Sequence, residues 1–343
     1  MYVINARNVH EALPEGIRLL SVHGGYGNSR AGGVLTADRP VVTVYTRPWE
    51  RVIFWPERDA NPFFHLMEAL WMIGGRNDVK WIERYNSRMR DFSDDGVVFH
   101  GAYGHRWRHH FETDQIASAI ALLKNVPNTR RCVIAMWDPS ADLRTTETGK
   151  DLPCNVAIFL RIVNARDLQM TVMCRSNDII WGLYGANAVH FSILQEYIAA
   201  KLGLSVGLLY TLSNDYHAYT DVYKQCEHLI DQSKDPFRTI PSCPYGRDEV
   251  FAEPLMTDPD TFDDELAFFL SDPEPADEDD YINPIFETAA TLRWVYMIWK
   301  REKDYARCYK ILDNRLGNPE MGQIDWVRAA REWFQRREAK SHG

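Results

Sequence analysis

Two strand-like stretches, Val156–Val163 and Leu168–Cys174, are joined by a short polar turn over Asn164–Asp167. β-branched and apolar runs bounded by turn formers predict an antiparallel hairpin. Such a hairpin carries Arg175 back to the start of its own first strand, where Leu152-Pro153-Cys154-Asn155 stands. The return predicts a cation (Arg175), a hydroxyl (Ser176) and a carboxylate (Asp178) beside the thiol of Cys154. A thiol attacks only as the thiolate, and neighbouring guanidinium groups lower its pKa toward neutrality. Most lone cysteines are inert core residues, so this reading stands only if other segments converge on it.

The remaining elements describe an α+β chain. Asn61 as N-cap, Pro62 in the first turn, apolar Leu66, Leu70 and Ile73, and Gly74-Gly75 as the stop predict a helix over 62–73. Val189, Ile193 and Tyr197 at i, i+4, i+8 predict a second from about Ala188 to Lys201. A strand is expected over Arg131–Trp137. Beyond Arg247 the composition changes. From Asp258 to Tyr281 the chain is rich in Asp and Glu and has no Lys or Arg, the pattern of a solvated linker or surface loop. From about Pro284 to Lys340 helical spacing returns in Leu292, Val295 and Trp299, then Trp326, Ala330 and Trp333. The expected division is a body over 1–250, an acidic linker or loop over 251–282 and a helical extension over 283–343.

Bulk properties exclude several classes. A net charge of −9 argues against a basic face that grips nucleic acid, and no apolar run is long enough to span a membrane. The first ten residues lack a signal-peptide pattern. Six cysteines are scattered without a CxxC or a Cys/His cluster, so neither a disulfide framework nor a metal site is expected. A reduced cytoplasmic location fits this usage (the host cytoplasm for a phage-encoded chain).

Three further positions invite chemistry. Glu68 stands among Phe63, Phe64, Leu66, Met67, Leu70, Trp71 and Met72, which makes it either the solvent-facing residue of that helix or a buried acid suited to proton transfer. Glycines on both sides of Ala102-Tyr103 suggest a loop that brings the phenol close to something. Arg130-Arg131 heads a strand that turns apolar at once, as an anion clamp or an ordinary charged strand end does.

Together these pieces, in order over about two thirds of the chain, resemble the thymidylate synthase family. His65-Leu-Met-Glu-Ala-Leu-Trp-Met-Ile-Gly-Gly is similar to the helix carrying its catalytic glutamate, which makes Glu68 the match. Ala102-Tyr103-Gly104-His105-Arg106-Trp107-Arg108 resembles the segment whose tyrosine helps remove the pyrimidine C5 proton. Pro153-Cys154 matches the nucleophile, and Arg175-Ser176-Asn177-Asp178 the family's Arg-Ser-x-Asp. Asn187 matches the asparagine that reads the pyrimidine edge; His217 and Tyr219 match the pair on the sugar 3′-hydroxyl. Arg30 matches the loop arginine on the phosphate, and Arg130 and Arg131 the pair that reaches the partner subunit's phosphate. The resemblance implies a mixed β-sheet packed by helices, a sheet-to-sheet homodimer, and 5,10-methylenetetrahydrofolate as cofactor. It also implies covalent catalysis, in which Cys154 adds to C6 and makes C5 a nucleophile.

Four departures locate the chain within that family. The histidine that follows the nucleophile is replaced by Asn155, which takes its place among the substrate-binding candidates. A tryptophan that packs on the methylene intermediate is missing near Met89 or Arg90. One extra residue lies in Gly182-Leu-Tyr-Gly-Ala-Asn187, and a long tail follows Tyr219 where the family's terminus seals the folate. Loosened closure favours water over hydride, so the expected activity is C5 hydroxymethylation of a pyrimidine nucleoside monophosphate, as in the hydroxymethylase branch. Asn187 favours dUMP. The alternatives are true thymidylate synthesis, hydroxymethylation of dCMP or CMP, and a non-catalytic nucleotide- or RNA-binding homologue. An unrelated cysteine hydrolase is weaker, because no spacing singles out a histidine partner for Cys154.

Overall fold

The computed structural model describes residues 1–29, 32–143, 149–232, 243–247, 249–271, 281–315 and 323–341. The strands of its main sheet are β1 (Tyr2–Ala6), β2 (Gly24–Ser29), β3 (Gly32–Ala37), β4 (Val41–Tyr45), β5 (Val133–Ala135), β6 (Asn155–Val163), β7 (Asp167–Asp178) and β8 (Ser205–Tyr219). The first six helices are α1 (Val9–His23), α2 (Pro62–Ile73), α3 (Val79–Ile82), α4 (Tyr103–Arg108), α5 (Gln115–Asn125) and α6 (Pro139–Asp142). They are followed by α7 (Asn187–Lys201), α8 (Thr220–Cys226), α9 (Phe262–Leu270), α10 (Pro284–Glu302), α11 (Tyr305–Arg315) and α12 (Asp325–Ser341).

The sheet is mixed, in the order β1-β4-β8-β7-β6-β5, and the β2–β3 hairpin joins it along β8. The expected hairpin is β6–β7, with Asn155 opposite Cys174 and Val163 opposite Asp167. β7 runs on past Cys174 to Asp178 because it gains β8 as a parallel neighbour, which pairs Ser176 with Asp215 and Asp178 with His217. A second ladder satisfies backbone groups that a lone hairpin would leave to water. Alternation then sorts the faces. Ile158, Leu160, Leu168, Met170, Val172 and Cys174 are buried on the side where α1 and α7 pack. On the alternate face Phe159 stays 40% and Val133 46% exposed, which leaves an apolar strip.

α2 follows its capping signals: Asn61 Oδ1 accepts from the Phe64 amide at 3.1 Å and the Gly74 amide returns to Leu70 O at 3.0 Å. Every residue of α2 is buried, so Glu68 does not face solvent. A helix apolar on all sides needs cover on all sides. The C-terminal helices supply the outer cover, with Phe63 against Tyr296, Trp333 and Phe334 at 5.0, 5.4 and 5.1 Å between ring centroids. Arg336 and Arg337 fasten α12 to Asp59 at 3.0 and 2.6 Å.

One expectation is corrected here. Part of the acidic stretch read as linker or loop is the helix α9, with Phe262, Leu266, Phe269 and Leu270 buried. That i, i+4, i+7, i+8 stripe is amphipathic, and Asp263, Asp264 and Glu265 in the first turn suit the positive end of the helix dipole. Carboxylate content hid the spacing. Residues 272–280 of the same stretch lie outside the described residues. Among the described residues no helix is long and apolar enough to cross a membrane, and no group of three His, Cys, Asp or Glu side chains is arranged to hold a metal.

α4 is anchored by a buried ion pair. Arg106 donates to Asp142 at 2.6 and 2.8 Å and to Met136 O at 2.7 Å, and both side chains of the pair are fully buried. Removing one partner of such a pair strands a charge, at about 3–5 kcal/mol. Arg106→Ala is therefore expected to lower stability by that amount in urea titration; a loss under about 1 kcal/mol would mean that water reaches Asp142.

Candidate active site

The β6–β7 ladder brings Arg175 to the nucleophile candidate. The Arg175 amide donates to Cys154 O at 2.9 Å, and its guanidinium grips Pro153 O at 3.0 Å and Leu152 O at 3.3 Å. The strand entry is thus clamped by the same residue that supplies the local positive charge. Cys154 is the one cysteine of the six that is partly exposed; the other five are buried. Burial pushes its thiol above the ordinary value, Arg175 opposes this, and Asp151 and Asp215 add to the rise. Two sequence expectations change accordingly. The guanidinium does not win against desolvation, and the carboxylates that bear on the thiol are Asp151 and Asp215 rather than Asp178.

Tyr103 begins the helix α4 and does not sit in a loop. Gly104 permits this: a Cβ there would stand 2.0 Å from Met72 O at the end of α2. The close approach needs a residue without a side chain. Tyr103 lies beside the backbone amides of Cys154 and Asn155, and burial, with Cys154 adding, holds its phenol well above the usual range. Its ring stacks on Phe191 of α7 at 5.9 Å.

Glu68 meets α7 as well. Its Oε2 lies 2.8 Å from His190 Nε2, and both residues are buried. Three residues earlier on α7, Asn187 Nδ2 donates to Asn177 Oδ1 at 2.8 Å, while Asn177 Nδ2 donates to Ser213 Oγ at 2.9 Å. These bonds tie Asn187 to β7 and β8. The stretch between Asp178 and Asn187, Ile179–Ala186, is helical but kinked, with non-helical backbone at Tyr184 and Gly185. Asp178 caps that segment, accepting from the Ile180 and Trp181 amides at 2.6 and 2.9 Å. Its other oxygen is buried without a hydrogen-bond partner among the described residues, and burial raises its pKa.

The parallel β7–β8 register sets the second motif beside the first, with Ser176 next to Asp215 and Asp178 next to His217. His217 Nδ1 lies 2.8 Å from Asp215 Oδ1, and its ring meets Tyr219 edge-on at 5.6 Å. Asn155 opens β6 beside Cys154. It is fully buried, and its amide donates to Met173 O at 2.9 Å and Ala157 O at 3.3 Å across the bulge in β6. Its Nδ2 serves the ladder, while its Oδ1 is buried without a hydrogen-bond partner among the described residues. Arg130 and Arg131 are exposed just before β5, and among the described residues neither holds an ion pair. Arg30 lies outside the described residues. Near the missing tryptophan, Met89 packs on the core and Arg90 forks onto Glu83 at 2.8 and 2.9 Å.

Sequence reasoning passed over His190, Asn177 and Asp151 as chemistry, and placed Asp215 only in the segment that resembles the sugar-binding one. His190 carried a signal, the i+3 spacing from Asn187 that puts both on one helix face. Asn177 occupied the variable position of Arg-Ser-x-Asp and carried none.

The family model for thymidylate synthase matches residues 61–244. The deoxyuridylate hydroxymethyltransferase of Pseudomonas phage M6 is 46% identical over 345 residues, covering 99% of this chain and 95% of that protein. The protein of the same name from Bacillus phage SP01 is 37% identical over 54% of this chain and 50% of its own length. That from Delftia phage PhiW-14 is 31% identical over 66% of this chain and 65% of its own.

Proposed function

Because the chain belongs to the thymidylate synthase family, we propose that this one-carbon transferase converts dUMP to its 5-hydroxymethyl derivative with 5,10-methylenetetrahydrofolate and water. The observation that carries the proposal is the likeness to the phage M6 deoxyuridylate hydroxymethyltransferase, which extends through the C-terminal helices as well as the site. Uracil as the base is supported by the amide chain: with Asn187 Nδ2 turned to Asn177, Oδ1 remains an acceptor for the N3–H that uracil carries and cytosine lacks.

In this reading Cys154 Sγ adds to C6 and the ring pair moves onto O4, where Asn187 and the Glu68 side receive the charge through water. Tyr103, beside the Cys154 amide, handles the C5 proton. Arg30, Arg175, Ser176 and the partner subunit's copies of Arg130 and Arg131 hold the phosphate, and His217 and Tyr219 the sugar. The folate supplies the one-carbon unit when bound. Its ring edge carries N–H donors, which suit the buried, unpartnered oxygen of Asp178. Trp181, whose amide donates to the other oxygen of Asp178, is 48% exposed and backed by the Arg58 guanidinium at 4.5 Å, and offers a flat face for a ring.

The test is the identity of the products. Incubation with dUMP and methylenetetrahydrofolate is expected to yield a hydroxymethyl nucleotide by mass, with no dihydrofolate absorbance, because water takes the place of hydride. Stoichiometric dihydrofolate together with thymidylate would overturn the proposal. Parallel reactions with dCMP and CMP test the base.

A further inference from the structure

The Glu68–His190 contact has no counterpart in the resemblance, which places the histidine of this site directly after the nucleophile. Here that position is Asn155, fully buried and committed to the carbonyls of Met173 and Ala157. An imidazole nevertheless stands at the site, delivered from a different element. His190 is 5% exposed, and its Nε2 lies 2.8 Å from Glu68 Oε2. Its Nδ1 is buried and has no partner among the described residues. A buried imidazole with one nitrogen on a carboxylate and the other uncommitted is poor packing and a good proton relay, since an unmade bond at such an atom costs stability. The spacing adds to this. His190 follows Asn187 by three residues, so α7 presents the base-reading amide and the carboxylate partner on adjacent turns of one face.

We propose that His190 is a positioning residue of the reaction: it holds the Glu68 carboxylate toward the bound pyrimidine and stores the proton that Glu68 gives up as it takes one from the attacking water. The proposal rests on the hydroxymethylation reading and deepens it. In the water step, the oxygen bonds to the exocyclic methylene carbon on C5, and the exocyclic double-bond pair moves into the ring and onto O4. Here His190 carries its proton on Nδ1 and accepts at Nε2 from the Glu68 carboxyl; as Glu68 takes the proton from water, the one it already carries passes to Nε2, and the Nε2–H then holds the carboxylate. The pair on O4 then returns, restores the C5–C6 double bond and expels the Cys154 thiolate. Two protons are released in all, one from C5 and one from water, and they balance the two that the departing folate nitrogens take up.

Two substitutions separate holding from storing. His190→Gln keeps an N–H at nearly the reach of Nε2 but cannot accept a proton; His190→Ala keeps neither function. His190→Ala is expected to lower C5-hydrogen exchange about tenfold and hydroxymethyl formation about 100-fold, the scale of a lost acid–base partner. The dUMP dissociation constant by calorimetry is expected to stay within about twofold, which corresponds to under roughly half of a tenfold step. His190→Gln is expected to recover exchange and not hydroxymethyl formation. Hydroxymethyl formation within about threefold of the parent in His190→Ala, full recovery of it in His190→Gln, or loss of dUMP affinity in parallel with rate would each overturn the proposal. Should the parent protein form thymidylate, the product reading fails by itself. Exchange, which precedes the branch, still decides whether His190 holds Glu68.

Discussion

Cys154→Ser is expected to abolish exchange of the pyrimidine C5 hydrogen with solvent and all nucleotide turnover, by at least about 10³-fold, the scale seen when a catalytic nucleophile is removed. Serine keeps the shape of the site and its clamp, because Arg175 binds the carbonyls of Leu152 and Pro153 and not the side chain at 154. Nucleotide affinity, measured by calorimetry, should therefore survive. Exchange at the parental rate in the serine protein would remove the covalent mechanism. The thiol's environment adds a pH signature. With burial holding Cys154 above the ordinary value of 9.0, the thiolate is scarce at neutral pH. Alkylation by iodoacetamide should rise about tenfold per pH unit up to that raised pKa. Arg175→Gln removes the opposing charge and should slow alkylation further at every pH below it. A faster reaction in that variant would mean that the guanidinium shields the thiol more than it stabilises the thiolate.

The contrast between Cys154 and its neighbours shows what a sequence discloses. The hairpin was legible because alternation and a polar turn are local signals, and together they set its pairing from Val163 back to Ala157. α2 was legible for the same reason: Asn61, Pro62 and Gly74 act within one turn of the helix ends. Direction of side chains within the site was not. Asn155 and Cys154 are adjacent in the chain, yet a bulge turns the amide into the ladder while the thiol stays partly exposed. No composition rule anticipates that bulge. His190 shares a helix face with Asn187 in the sequence, but a lone histidine on an apolar helix reads as core, and its carboxylate partner comes into view only where α2 crosses α7. The pKa of Cys154 was misjudged through the same blindness to tertiary burial, since desolvation is a property of the assembled site and not of its motif. Family resemblance carried the residue roles further than spacing did, and it is silent on the positions where this chain departs from its pattern.

Mixing two inactive proteins is expected to restore activity if the site is shared between subunits. Arg130 and Arg131 stand exposed before β5, at the margin of the sheet face that leaves Phe159 and Val133 uncovered. Two such faces packed about a twofold axis would bury the apolar strip and carry each arginine pair to the other subunit, as an isologous interface requires. In a heterodimer of Arg130→Ala/Arg131→Ala with Cys154→Ser, one site then combines an intact thiol from the first chain with intact arginines from the second. The other site lacks both. Free exchange at equal concentrations makes half of the dimers mixed, each with one good site of two, so about a quarter of the parental activity should return. Each protein alone is expected to remain near background, the arginine variant through weakened phosphate binding and a raised KM. Sedimentation of the mixture, with one chain tagged, establishes that mixed dimers form. Mixed dimers without recovered activity would place the arginines in their own subunit's site, where Arg131→Ala should then lower activity without any rescue by a partner.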